Sequence, residues 1–282
     1  MPAPLSAIDL HAHSTASDGT LSPAAVVTAA ATAGVTCFAL TDHDSVAGLP
    51  EAERTARALG LQLVPGIELS ANWERKGLHV VGLGIDPETP ALQAGLRQQQ
   101  DRREQRATAI AAKLEKLGLS EALDKAKALA SGGQITRTHF ARLLVAEGRC
   151  KSLKKAFERY LGAGQSAYVG VEWAGLDEVI GWIHTAGGQA VLAHPLHYKL
   201  SATQRERMLL AFCAAGGDGV EVSCGNSDPA DVQLSAREAQ RHGLKGSVGS
   251  DFHGPDQVWL GLGRLHPLPA GVTPVWLTPG LA

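Results

Sequence analysis

Apolar residues in this chain fall into short continuous runs separated by segments with helical spacing. Ile8 to Leu10, Val35 to Leu40, Leu61 to Val64 and Leu78 to Ile85 are compact apolar runs bounded by turn residues, the pattern of strands buried on both faces. Between them, Ser22-Pro23 opens an Ala-rich helix that Gly34 ends, and a second helix from Leu49 to Leu59 stops at Gly60. The rhythm breaks near Pro90. Residues 93–165 carry helical periodicity and no strand pattern: one helix from Ala107 to Leu117, another from Glu121 to Ala130, a third after Ile135-Thr-Arg-Thr-His139, and a fourth capped by Ser152. The strand and helix alternation then resumes, with a helix from Leu176 to Thr185, a strand from Ala190 to Ala193, a helix over 202–215 and a strand from Gly219 to Ser223. A helix from Asp231 to His242 and a strand from Gly246 to Gly249 follow, and the Pro- and Gly-rich tail contributes one edge strand.

This alternation predicts an α/β fold: a barrel of parallel strands wrapped by helices, over residues 1–92 and 166–282, interrupted by a helical insertion at 93–165. At 282 residues and 44% hydrophobic, the chain is long and apolar enough to bury a large core. The net charge of -2 argues against a general electrostatic nucleic-acid binder, but the charge is divided unevenly. The insertion holds 15 Lys+Arg against 7 Asp+Glu, the remainder 11 against 21. The basic excess is either a solvated helix surface or a positive roof that draws an anionic substrate to the barrel mouth. Cys37, Cys150, Cys213 and Cys224 form no C-x-x-C pair, so neither a zinc ribbon nor a disulfide framework is signalled. With no membrane-length apolar run and no basic-apolar leader pattern, the expected location is the cytoplasm, with no membrane association and no obligate protein partner.

Polar residues gather where the apolar runs end, which in a parallel barrel is the catalytic face. His11 and His13 stand two apart in an extended segment and therefore share a face. Asp251 and His253 repeat that spacing. Taken with Asp18, His43, Glu68, His79 and His194, these make nine ligand-type side chains, mostly at strand ends. A lone histidine is usually a surface or satisfied core residue, but nine such groups at one rim are not. Imidazole and carboxylate without thiolate suit Mn, Fe, Zn or Co. Nine donors exceed one ion, so shared carboxylates would hold two or three, the arrangement that generates hydroxide and clamps the oxygens of a displacement at phosphorus.

The segments Asp9-Leu10-His11-Ala12-His13, Thr41-Asp42-His43-Asp44, Ala193-His194-Pro195 and Ser250-Asp251-Phe252-His253 resemble the four motifs of the PHP (polymerase and histidinol phosphatase) superfamily. The resemblance implies a distorted (β/α)7 barrel and a cluster of three divalent ions, manganese before zinc or iron. It implies one ion on His11, His13, Glu68 and Asp251, a second on Glu68, His79 and His194, and a third on Asp18, His43 and His253, with Asp251 also accepting or relaying a proton. Within the superfamily, Ile135-Thr136-Arg137-Thr138-His139, Gly66-Ile67-Glu68-Leu69-Ser70 and the run from His194 to Ser201 are similar to the 3',5'-nucleoside bisphosphate phosphatases, also described as 5'-to-3' exoribonucleases on short RNA. The match departs at His197, where that group is expected to carry arginine.

The implied activity is removal of the 3'-phosphate from a nucleoside 3',5'-bisphosphate, with short 5'-phosphorylated RNA as a second substrate. Arg137, whose planar guanidinium suits bidentate phosphate recognition, is the expected handle for the 5'-phosphate, with His139, His197 and Asn226 as further substrate contacts. The alternatives are a histidinol-phosphate or other small phosphomonoester phosphatase, and a non-catalytic barrel that recruits or stabilises a polymerase. The five tryptophans are expected in the core or at its rim and the cysteines as small buried hydrophobes.

Overall fold

A computed structural model of the chain describes residues 7–225, 227–257 and 260–281. Seven strands lie side by side in chain order: β1 (Ile8–Asp9), β2 (Cys37–Leu40), β3 (Gln62–Trp73), β4 (Lys76–Leu83), β5 (Gln189–Leu192), β6 (Gly219–Cys224) and β7 (Lys245–Gly249). The backbone just beyond β1 then pairs with the end of β7: Leu10 N–H donates to Val248 O at 2.9 Å, and Asp251 N–H to His11 O at 2.8 Å. These bonds bring the two ends of the sheet together in a nearly closed barrel.

The strands are not all parallel. β4 runs antiparallel to both neighbours, β3 and β5. A tight Glu74-Arg75 connection, with Glu74 in a left-handed conformation, returns the chain as a hairpin, so no crossover helix intervenes. β3 is also longer than its apolar run. Pro65 lacks an N–H but sits opposite Leu40, where β2 ends, and the strand continues past it as the partner of β4. Glu68 therefore lies in mid-strand rather than at a strand end. Among the described residues the tail forms no edge strand, only an isolated parallel bridge of Pro274 with Gly246 beside β7 and a 3₁₀ turn at Val275–Leu277.

Helices α1 (Pro23–Thr32), α2 (Leu49–Leu59), α7 (Leu176–Thr185), α8 (Ala202–Ala214) and α9 (Pro229–His242) cover the outside. Ser22 caps α1 by accepting from Ala25 N–H, and Gly60 closes α2 in the left-handed conformation. The main core joins the outer faces of β3 to β6 to α7, α8 and α9 through residues such as Leu78, Ile183, Phe212 and Val222.

Between β4 and α7 lie α3 (Pro90–Lys116), α4 (Ala122–Ala130), α5 (Arg137–Ala146) and α6 (Leu153–Ala156), the last running on into a π turn, Phe157–Leu161. They enclose a core of their own around Phe140, Leu143, Ile110 and Leu114. α3 is far longer than the helix predicted from Ala107. Its first half buries Leu92 and Leu96 on the barrel, and its second half enters the insertion core. The two halves are joined by buried Gln99 and Arg103, polar residues that interrupt the apolar stripe and conceal the continuity in sequence. Residue 93 thus falls in the first turn of α3, and Ala167 packs with the insertion core.

Candidate metal centre

β1 delivers His11 and His13 to the barrel mouth, both fully buried, with their Nε2 atoms 3.1 Å apart. Asp42, His43 and Asp44 follow the end of β2. His194 stands two residues beyond β5, and Asp251 and His253 just beyond β7. His79 stands near the start of β4. Because β4 runs the opposite way, that start reaches the same rim as the ends of the others.

Glu68 occupies the centre. Its Oε1 lies 2.9 Å from His79 Nδ1, 3.1 Å from His194 Nε2 and 3.4 Å from His11 Nε2. Its Oε2 lies 2.7 Å from His43 Nδ1 and 3.4 Å from His13 Nε2. Burial alone would raise this carboxyl, but the imidazoles of His79, His43 and His11 outweigh it and hold it well below the usual carboxylate range. Asp251 Oδ1 is 3.2 Å from His13 Nε2, and Asp18 Oδ1 is 3.2 Å from His253 Nε2 and 3.8 Å from His43 Nε2. Burial, reinforced by charge on His253 and His43, pushes the His13 imidazole down to about 3, so it offers a free lone pair at neutral pH. His253 moves the other way: burial lowers it, but Asp18 and Asp251 raise it to about 10.

All nine expected ligands therefore converge. Three sets place one donor atom from each member within 4.8 Å of one another: His13, Asp18, His43 and His253; His11, His13 and Glu68; His43, Glu68 and His79. Asp18 Oδ1, Glu68 Oε2, His43 Nδ1, His79 Nδ1 and His194 Nδ1 are buried without a hydrogen bond. The close His43–Glu68 and His79–Glu68 approaches lack hydrogen-bond geometry. Buried polar atoms are ordinarily satisfied, so these orphans, four of them within the contacts around Glu68 and Asp18, fit a divalent cation cluster.

A scaffold of further carboxylates, absent from the sequence-derived set, supports the ligands. Asp9 accepts from Ser250 N–H (2.8 Å) and Gly263 N–H (2.9 Å), tying β1 to the segment that carries Asp251. Asp42 accepts from Ser14 N–H and from the hydroxyls of Ser14 and Ser17, shaping the loop that bears Asp18. Glu221 on β6 accepts from His11 Nδ1 at 2.7 Å and from the backbone N–H of His194 at 2.6 Å. Gly249 leaves room for this pair, since a Cβ there would stand 2.2 Å from His11 Cβ and 2.9 Å from Glu221 Oε1. His79 N–H donates to Tyr198 Oη at 2.8 Å. His194 (φ 32°) and Asp251 (φ 54°) hold left-handed backbone, a strained conformation typical of functional positions.

A cavity of about 580 Å³ opens beside this cluster. Asp18, His43 and His79 form its floor, and Arg103, Arg106, Arg137, Phe157, Tyr168 and Trp173 its wall and roof. Arg103 is committed to Asp44, with Nε 2.7 Å and Nη2 2.5 Å from Oδ2. Arg106 and Arg137 have no carboxylate partner among the described residues. Burial first, then charge on Arg137 and Arg103, lowers the Arg106 guanidinium to about 9. Arg106 and Arg103 lie over the Trp173 ring, 5.9 and 5.1 Å from its centroid, and Arg137 lies 5.5 Å from that of Phe157. Neither Arg106 nor Trp173 was legible as a site residue, because a lone basic or aromatic residue in a charged helix or loop carries no signal of its partners.

Two expected substrate contacts are not brought to the cavity. His139 is buried and closes the α5 capping box, its Nδ1 accepting from Thr136 N–H at 3.0 Å. His197 stacks on the His194 ring (5.5 Å between centroids, 11° between planes), an exposed position outside the cavity wall. Asn226 and Trp259 lie outside the described residues. Cys37 and Cys224 are buried, whereas Cys150 and Cys213 are half-buried.

The chain is 48% identical over 269 residues to a 5'-3' exoribonuclease of Haemophilus influenzae, covering 95% of this chain and 97% of that one. It is 44% identical over 270 residues to a 3',5'-nucleoside bisphosphate phosphatase of Chromobacterium violaceum, covering 95% of each. Among solved structures, an amidohydrolase of Chromobacterium violaceum with bound sulfate and no metal superposes with a TM-score of 0.91 at 43% identity, covering 96% of this chain and 95% of that one. A protein of Bifidobacterium adolescentis described as a metal-dependent phosphoesterase superposes with a TM-score of 0.81 at 29% identity, covering 97% and 94%. The family model of the PHP domain matches residues 9–214. With the motifs at the barrel rim and this match over most of its length, the chain belongs to the PHP domain family.

Proposed function

We propose that the chain is a metal-dependent phosphatase that hydrolyses the 3'-phosphate of nucleoside 3',5'-bisphosphates, leaving the 5'-monophosphate, and that also accepts short 5'-phosphorylated RNA. The observation that carries this reading is the cavity: Asp18, His43 and His79 of the cluster line it together with Arg106 and Arg137, whose guanidiniums face no carboxylate among the described residues, although Arg106 Nε donates to the Val169 carbonyl at 3.1 Å. A substrate with two phosphates satisfies both groups, one over the cluster and one on the arginines. A small phosphomonoester such as histidinol phosphate would leave the arginines without an anion. The relatives named as a bisphosphate phosphatase and an exoribonuclease support the same substrate class.

In this reading His11, His13, Glu68 and Asp251 would hold one ion, Glu68, His79 and His194 a second, and Asp18, His43 and His253 a third, with manganese the preferred metal. Bound divalent cations supply a hydroxide at neutral pH and neutralise phosphate oxygens. Asp251 is the carboxylate suited to moving a proton: its side chain is 22% exposed, against 3% for Asp18 and 0% for Glu68. It would accept the proton that water gives up in forming that hydroxide and pass the same proton to the 3'-oxygen as the P–O bond breaks. The helices of 93–165 act as a cap that excludes water and presents Arg106 and Arg137. No helix among the described residues is long and apolar enough to cross a membrane, in keeping with a cytoplasmic enzyme acting on small anions.

Phosphate release with Mn(II) from adenosine 3',5'-bisphosphate, AMP, histidinol phosphate and a short 5'-phosphorylated RNA tests the proposal. The bisphosphate is expected to lead in kcat/KM. Equal or faster turnover of histidinol phosphate would refute it.

A further inference from the structure

Among the buried contacts of the insertion with the barrel, two adjoin residues of one ligand set. At the first, Gln134 N–H donates to Ala16 O at 2.9 Å, Thr136 Oγ1 to Asp18 Oδ2 at 2.9 Å, and Arg142 Nη2 to Asp18 O at 2.7 Å. The contact is tight: a Cβ on Gly133 would stand 2.0 Å from the Thr15 carbonyl oxygen. At the second, Arg103 grips Asp44, the neighbour of His43, and Nη2 of the same guanidinium donates to Ser70 Oγ at 3.0 Å.

The first contact decides how Asp18 is used. Its Oδ2 is satisfied by the Thr136 hydroxyl. Its Oδ1 is buried, makes no hydrogen bond, and faces Nε2 of His253 and His43. Without the hydroxyl, the side chain could rotate about χ1 and χ2 within its loop. With it, one oxygen is pinned and the other is aimed into the cluster. The next residue along, Arg137, lines the cavity.

We propose that the insertion is a constituent of the cation site as well as its roof. Thr136 is a positioning residue that fixes Asp18 so that the place formed by Asp18, His43 and His253 retains its cation. This rests on reading the cluster as a cation site. It follows that the start of α5 stays docked on the barrel through turnover, and that one helix start orders both the cation position and, through Arg137, the anion contact.

Thr136→Val removes the hydroxyl at nearly constant shape, and Thr136→Ser keeps it. Metal-free wild type and both variants are titrated with Mn(II) by equilibrium dialysis, and thermal midpoints are recorded because Thr136 also caps α5. Thr136→Val is expected to lose one manganese equivalent, or to bind that equivalent about tenfold more weakly or worse, with the other equivalents unchanged. Thr136→Ser is expected to match wild type. Unchanged binding by Thr136→Val would overturn the proposal. So would a uniform weakening of every equivalent that tracks the thermal midpoint, since that marks general destabilisation. A wild-type chain that binds no manganese would overturn the underlying reading of the cluster, a result distinct from manganese binding that ignores residue 136.

Discussion

Glu221 holds His11 and His194 with its two oxygens: Oε1 is 2.7 Å from His11 Nδ1, and Oε2 is 2.6 Å from the backbone nitrogen of His194. A carboxylate at Nδ1 keeps a proton there, so that Nε2, which faces Glu68 and Asp251, is the nitrogen that would give its lone pair to a cation. Glu221→Gln keeps the shape but can present an NH₂ to Nδ1, which favours the opposite tautomer. The expected outcome is a loss of manganese affinity on the order of 10- to 100-fold with the fold retained. Equilibrium dialysis with manganese would report the affinity, and an unaltered affinity would count against this role.

Arg137 faces the cavity without a carboxylate partner among the described residues. Arg137→Ala should lower kcat/KM for adenosine 3',5'-bisphosphate by about 10- to 100-fold, the scale of one charge-assisted contact of roughly 1.5–3 kcal/mol. Turnover of a substrate lacking the 5'-phosphate, such as 3'-AMP, should change little. Equal losses on both would show that Arg137 is not the handle for the second phosphate.

His139 gives a pH dependence with a defined sign. Its folded-state value is lowered by burial to about 4, below the 6.5 of an ordinary imidazole. The unfolded chain therefore takes up the proton first as pH falls. The contribution to stability is complete above about 6.5 and is lost as pH falls towards 4, amounting to about 3 kcal/mol. Gln at this third helical position preserves a capping box without titrating. Thermal midpoints of His139→Gln should fall less steeply than wild type between pH 6 and 4, and parallel curves would contradict the assignment.

Arg103 and Asp44 form a buried ion pair between α3 and the end of β2, with side chains 6% and 0% exposed. Arg103→Met leaves Asp44 charged and unpaired, and the expected cost is about 3–5 kcal/mol in denaturant unfolding. A loss below 1 kcal/mol would mean that water or another donor replaces the guanidinium.

Much of this architecture was legible before the structure. α2 and α7 begin and end where Gly60, Gly187 and the apolar spacing place them, and the i, i+2 pairs of His11 with His13 and Asp251 with His253 identify one rim. The direction of β4 was not legible, because an apolar run carries no polarity and only the two-residue Glu74-Arg75 link betrays a hairpin. The course of β3 was hidden by Pro65-Gly66, which reads as a turn unless the end of β2 opposite Pro65 is known. Arg103, Arg106 and Glu221 escaped because a charged side chain in isolation signals solvent. Their burial depends on partners contributed by distant segments. For His139 the sequence left a substrate contact and a helix-capping role both open; in the structure Thr136 and His139 form the capping box of α5, and His139 does not line the cavity.

Glu68, at the meeting point of five imidazoles, is the residue proposed to hold the divalent cations on which hydrolysis depends. Manganese content and phosphate release from adenosine 3',5'-bisphosphate, measured on the same preparations of wild type and Glu68→Gln, test that role most directly. The predicted result is that bound manganese and turnover fall together in the variant while the fold persists. Full manganese occupancy with wild-type turnover in Glu68→Gln would contradict it.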